Sequence, residues 1–430
     1  MEKFSRIYIP IIVTLLLILG SSEEILAQVN FSGDFRLRAY SDHFYNDQDG
    51  RGNENYIRHL ARIRAKIQAN RNTFFYTELI TWTQDNPLSP VRNISGTGRM
   101  QYGISQVFAE IMFPDLPFFD LVRLRAGRQQ FPIGNGLSMG ESYYFFDKFD
   151  GVRLDMAWQE YSLSLFGAIT GQNVSASGLY PDPGSDQIYI ARLSRPILNQ
   201  DVMTYYIYNK LRGDFNDSYI WGGGASGDFM AGHLDYFVEG AGQWFNTLDG
   251  LPDKGGLGYM GGISYRWSWG PFHSIKAETR YAAYQGDDID TPDIETFSPL
   301  YPSFFWGSRV GYVNGAIGGD FPYNGRNPEG SRILYTRLYV IPSKIPALRI
   351  QLQYLNVGEY VDNDDYNSMD DEFSLMFYYE LSKQARLQFR FARNIPNEYE
   401  DRDVNESGQV SWSEDRISMS RFMTEIQVVF

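Results

Sequence analysis

The 430-residue sequence has no cysteine. That absence excludes a disulfide framework, a zinc or iron–sulfur site built on thiolates, a catalytic thiol and a lipoprotein anchor cysteine. Histidine is scarce, with only His43, His59, His233 and His273. His43 falls in an expected loop and the other three at expected strand starts, so no Ser–His pairing suggests itself and the chain reads as no enzyme. Positive charge is in short supply as well: 38 Lys and Arg stand against 52 Asp and Glu, for a formal charge of −14. A chain this acidic is a poor nucleic-acid binder. No long window carries the apolar period of an amphipathic helix.

Aromatic residues are plentiful, with 31 Tyr, 30 Phe and 8 Trp, and 43% of the chain is hydrophobic, which excludes disorder. Met1 to Ala27 has the form of a secretory signal peptide: Lys3 and Arg6, an apolar run from Ile7 to Gly20, then a polar tail ending in Ala27. The run is short of the roughly 20 residues a membrane helix needs. The mature chain is expected to begin near Gln28, to leave the cytoplasm, and to form one domain over 28–430.

From Val29 onward the sequence alternates with period 2. Phe31, Phe35 and Leu37 alternate with Asp34, Arg36 and Arg38; Ala61, Ile63 and Ala65 with Arg62, Arg64 and Lys66; Leu387, Phe389 and Phe391 with Arg386, Gln388 and Arg390. Such segments lie near 29–40, 57–69, 73–84, 103–113, 119–128, 148–157, 160–170, 186–195, 201–209, 218–229, 232–244, 256–267, 273–284, 332–341, 347–356, 372–381, 385–393 and 420–430. Most match the roughly 9–11 residues of a tilted membrane strand. Long connections (41–56, 85–102, 129–147, 285–331, 394–419) alternate with short ones such as 70–72 and 382–384. The expected fold is all-β: a transmembrane antiparallel up-and-down β-barrel of about eighteen strands, sixteen being the alternative count, with long extracellular loops and short periplasmic turns. The location is the bacterial outer membrane, with lipid and lipopolysaccharide around it.

Charge decides which face is which. Arg or Lys on the lipid face costs about 2–4 kcal/mol at mid-bilayer, so the arginine-bearing faces must line the interior. The inward set includes Arg36, Arg38, Arg62, Arg64, Arg123, Arg125, Arg153, Arg280, Arg349 and Arg390. Inward acids are fewer, Asp155 and Glu239 among them, with Glu78 and Glu372 of ambiguous phase. A net positive wall selects anions. The competing view is that arginines and acids pair merely to hold the barrel's shape. Aromatics at strand ends (Tyr40, Phe44, Trp82, Trp158, Tyr265, Trp267, Trp269, Tyr339) suit interfacial girdles.

Gly127-Arg128-Gln129 closes one strand, Phe149-Asp150-Gly151-Val152-Arg153-Leu154 opens the next, and Gly33-Asp34-Phe35-Arg36-Leu37-Arg38 opens the first. Together these motifs resemble the alginate-export family of outer-membrane porins. The resemblance implies a monomeric eighteen-stranded barrel passing an anionic polyuronate from the periplasm, with periplasmic export machinery as a partner. It also implies roles for Arg128, Arg153, Asp155 and the first-strand arginines. Arg128 is out of phase with Arg123 and Arg125, and reaches the lumen only if Gly127 makes a bulge. Two other readings stay open: a general or phosphate-type anion porin, and an adhesion or scaffold barrel acting through its loops. Those loops are acidic, and Asp362, Asp364 and Asp365 are candidate calcium ligands, although no EF-hand spacing is present. No other cofactor is expected. Loop 285–331 is long enough to fold into the mouth.

Overall fold

The computed structural model describes residues 28–45, 53–84, 99–139, 148–169, 187–210, 217–230, 232–245, 254–285, 297, 331–358, 369–396 and 418–430. The expected leader 1–27, the acidic loop segments and the calcium candidates Asp362, Asp364 and Asp365 lie outside these residues.

The strands run in chain order as β1 (Gln28–Tyr45), β2 (Asn53–Asn70), β3 (Thr73–Gln84), β4 (Arg99–Leu116), β5 (Phe119–Gln130) and β6 (Lys148–Trp158). There follow β7 (Tyr161–Ile169), β8 (Gln187–Ile197), β9 (Gln200–Lys210), β10 (Ser218–Phe229), β11 (Leu234–Phe245) and β12 (Lys254–Trp269). The last six are β13 (Phe272–Tyr284), β14 (Ser331–Pro342), β15 (Leu348–Gly358), β16 (Met369–Glu380), β17 (Ala385–Pro396) and β18 (Ser418–Val429). Each pairs antiparallel with its chain neighbours, and β1 pairs with β18 from Asp34↔Val429 to Tyr45↔Ser418. The sheet therefore closes on itself and leaves no edge. Phe430 finishes the seam, its backbone exchanging two hydrogen bonds with Gly33 at 2.8 and 3.1 Å.

Alternation in the sequence becomes inside and outside in the barrel. Along β1 and β2, Phe31, Phe35, Ile57 and Ile63 stand exposed while Asp34, Arg36 and Tyr40 are buried. The exposed set forms a continuous apolar exterior, which only a lipid environment satisfies. Trp158 stacks on Tyr161 and Tyr265 on Trp267 near the short-turn ends, as a girdle requires. Tyr40 and Tyr339 do not belong to it. Both share the inward phase of their strands, Tyr40 under the Arg421 guanidinium and Tyr339 accepting from Arg337. The side chains of Phe44 and Trp82 lie outside the description. His43, expected in a loop, is part of β1, because pairing with β18 carries the strand on to Tyr45.

Candidate functional site: the lumen wall and its constriction

The inward faces of β1 to β5 carry the densest charge. Asp34 lies opposite Arg62 in register and accepts two hydrogen bonds from its guanidinium, Nε at 2.9 Å and Nη2 at 3.1 Å. Arg64 donates to the same carboxylate at 2.9 Å, and Arg36 approaches it at 3.4 Å. Arg64 also reaches Glu78 at 2.7 Å, which settles Glu78 as inward. One strand pair further on, Glu110 accepts from Arg125 at 2.8 and 2.6 Å and faces Arg123 at 3.2 Å. Five arginines thus share three carboxylates. The pairs brace the wall, and the side chains of Arg64 and Arg123 keep 25% and 33% of their surface exposed.

The remaining expected residues fall around the same lumen. Arg38 pairs with Glu425 across the seam, and Arg280 with Glu278 beside it on β13. Arg153 contacts Asp155 at 2.8 Å, and Ser164 donates to that carboxylate at 2.6 Å. Arg390 is buried 3.6 Å from Glu372, which places Glu372 inward too. Arg349 shares the face of buried Gln351 and Gln353 and is itself exposed near the short-turn end. Several guanidiniums lie on rings, Arg125 on Phe108 at 4.3 Å and Arg153 on Phe131 at 4.8 Å. Stacking fixes the plane of the fork and leaves its edge to donate.

Arg128 is the exception. Gly127 has φ +126°, yet the register runs unbroken through Val107↔Arg128 and Arg128↔Asp150. Without a bulge the alternation keeps Arg128 on the outer wall, where Asp150 accepts from it at 3.0 and 2.7 Å. The two charges cancel each other near the long-loop end, where an outer-face charge is cheapest.

The opposite side of the lumen carries a large apolar cluster. After β5 the chain turns inside, and Phe131, Ile133, Leu137 and Met139 are almost wholly buried against Phe166, Ile188, Ile207 and Ile220 on the inner wall. Phe131 stacks on Phe166 at 4.9 Å. Phe297 joins the cluster from loop 285–331, seated over Gly258, where a Cβ would come within 2.8 Å of its ring. The inserted segment is pinned by Glu239 on β11. Its carboxylate accepts from the Asn135 N–H at 2.7 Å and from the Tyr205 hydroxyl at 3.1 Å, and Tyr205 contacts Ser138 Oγ at 3.0 Å. Among the described residues, segment 131–139 and Phe297 occupy part of the lumen.

Sequence reasoning missed this segment, although two signals mark it. Ile188, Ile190, Ile207 and Ile220 are apolar at inward positions, which a wet lumen does not call for. Gly136-Leu137-Ser138-Met139-Gly140 also has the spacing of a hydrolase nucleophile elbow. Ser138 is buried, with its Oγ 3.0 Å from the Tyr205 hydroxyl.

No family model and no curated protein matches the chain. Solved structures do. Pseudomonas aeruginosa OccK9 (OpdG) is similar with a TM-score of 0.57 at 12% identity, over 94% of this chain and 99% of that one. Acinetobacter baumannii OccAB1 gives 0.54 at 12%, over 95% and 100%. The Pseudomonas aeruginosa outer membrane protein OpdK, also solved with vanillate, gives 0.52 at 8%, over 93% and 98%. At these identities the likeness establishes the fold. With the apolar exterior, it places the chain among barrels of the bacterial outer membrane. It also overturns the resemblance to the alginate-export family, since the similar structures are Occ and Opd proteins. Motifs such as Gly-Asp-Phe-Arg-Leu-Arg follow from strict alternation with a charged inner face, so barrels of different kin can share them.

Proposed function

We propose that this chain is a diffusion channel for small anionic solutes, with carboxylates the class its wall fits best. The observation that carries the reading is the sharing of Asp34, Glu78 and Glu110 among Arg36, Arg62, Arg64, Arg123 and Arg125. Guanidinium matches carboxylate geometry with two parallel hydrogen bonds and sheds water readily, and donors at several heights allow transfer from one to the next. Segment 131–139 and Phe297, packed against the inner wall, narrow the path and favour small solutes over a polymer. Vanillate, held by OpdK, is an aromatic carboxylate, and arginines lying on rings offer such a solute both a charge and a flat apolar surface. In this reading the barrel acts as a monomer, without a cofactor and without catalysis, amid phospholipid and lipopolysaccharide.

Swelling of proteoliposomes in benzoate, vanillate, phosphate and glucose tests it. Carboxylates are expected to enter fastest and glucose slowest. A glucose rate equal to the carboxylate rate contradicts the reading, and a phosphate rate above both moves the cargo to phosphate.

A further inference from the structure

The short-turn rim of the barrel is apolar where turns are ordinarily polar. Phe118 is 94% exposed, Leu198 91% and Met230 69%. Each sits in a turn with positive φ, at 74°, 51° and 53°. That region favours Gly and Asn, which supply the left-handed backbone at low cost. A large apolar side chain there is doubly unfavourable in water, through the backbone and through its own surface. Two more turns carry an exposed apolar side chain, Ile345 and Leu381, on ordinary backbone, and Trp269 stands exposed beside a third.

These side chains do not form an isolated patch. Just inside them, Phe119 meets Trp158 edge-on at 6.2 Å, Phe229 stacks on Tyr236 at 5.2 Å, and Trp269 lies 6.4 Å from Phe272. The turn tips therefore continue the aromatic girdle, and with it the lipid-facing exterior, past the ends of the strands. Exposed charges of both signs accompany them: Lys344 adjoins Ile345, Lys383 follows Leu381 and Arg71 occupies the first short turn, while Asp120, Asp201 and Asp228 lie within three residues of Phe118, Leu198 and Met230. Apolar tips continuous with an aromatic girdle match a phospholipid surface, with acyl chains below and the zwitterionic headgroups at the level of the charges.

We propose that the short-turn rim is seated in the inner leaflet, with Phe118, Leu198 and Met230 reaching the boundary between headgroups and acyl chains, and that the leaflet is the partner this surface fits. The turns at Arg71-Asn72 and Gln159-Glu160 lack an apolar tip and stand at the water side of that boundary. The inference does not depend on what passes through the lumen.

The chain's lack of cysteine makes the test direct. Phe118→Cys, Leu198→Cys, Met230→Cys, Asn72→Cys and Gln159→Cys are each labelled with an environment-sensitive fluorophore and refolded into phosphatidylethanolamine–phosphatidylglycerol vesicles. Barrel formation is checked by heat-dependent gel migration. A variant that fails to form the barrel is replaced by Ile345→Cys or Leu381→Cys, which the proposal puts at the same depth. Brominated phospholipid is expected to quench the labels at 118, 198 and 230 several-fold more than those at 72 and 159, with iodide on both sides of the membrane showing the reverse order. Equal iodide access at all positions overturns the proposal. So does shielding of the three apolar positions that appears only on adding periplasmic protein, since it assigns the surface to a protein partner.

Discussion

Asp34 is a single carboxylate, 4% exposed, between the guanidiniums of Arg36, Arg62 and Arg64. Its removal leaves three cations facing one another on a partly buried wall, a loss on the order of 3 kcal/mol. Asp34→Asn is therefore expected to lower the urea midpoint for unfolding from vesicles while raising anion preference in the same channel. A purely structural role predicts the first change without the second. Glu239 acts differently, joining two elements rather than balancing charge. Glu239→Ala strips the Asn135 N–H and the Tyr205 hydroxyl of their acceptor, at a cost of about 1–3 kcal/mol. Single-channel recordings are expected to show larger and noisier conductance as segment 131–139 loosens. Unchanged conductance would mean that the buried side chains of the segment hold it without the carboxylate.

At the level of elements, strands were the most legible feature. A residue that faces lipid and a neighbour that faces the lumen must differ in polarity, and that contrast writes each strand of β1 to β18 into the chain. The lumen was legible only where it is wet. On β8, Ile188 and Tyr189 are both nonpolar in character, because the inserted segment covers one and lipid the other. Sequence alternation cannot say what covers an inner face, so segment 131–139 and the role of Tyr205 stayed hidden. Arg128 turned on backbone geometry that alternation does not reveal: Gly127 takes a positive φ without shifting the register. A Cβ there would come within 2.3 Å of the Val107 carbonyl oxygen. Gly127→Ala is thus expected to reduce refolding yield into vesicles, whereas Arg128→Ala together with Asp150→Ala, which removes both charges of an outer-face pair, is expected to leave yield and ion selectivity near wild type.

For the whole molecule, the formal charge of −14 is an average over regions with opposite tasks. Acidic residues gather in connections such as 286–296 and 359–368, while the inner wall of β1 to β5 carries more arginine than carboxylate. A solute is governed by the wall beside it, since charges beyond a Debye length of about 8 Å are screened at physiological salt. The apolar exterior and closed hydrogen-bonding keep that wall in place without a soluble core. The most direct measurement is the reversal potential of single channels across a potassium chloride gradient, for the wild type and for Arg62→Gln with Arg64→Gln. The wild type is expected to prefer chloride, and the double variant to lose much of that preference while still conducting. A cation-selective wild type, or a selectivity indifferent to the two arginines, would contradict an arginine wall that selects anions.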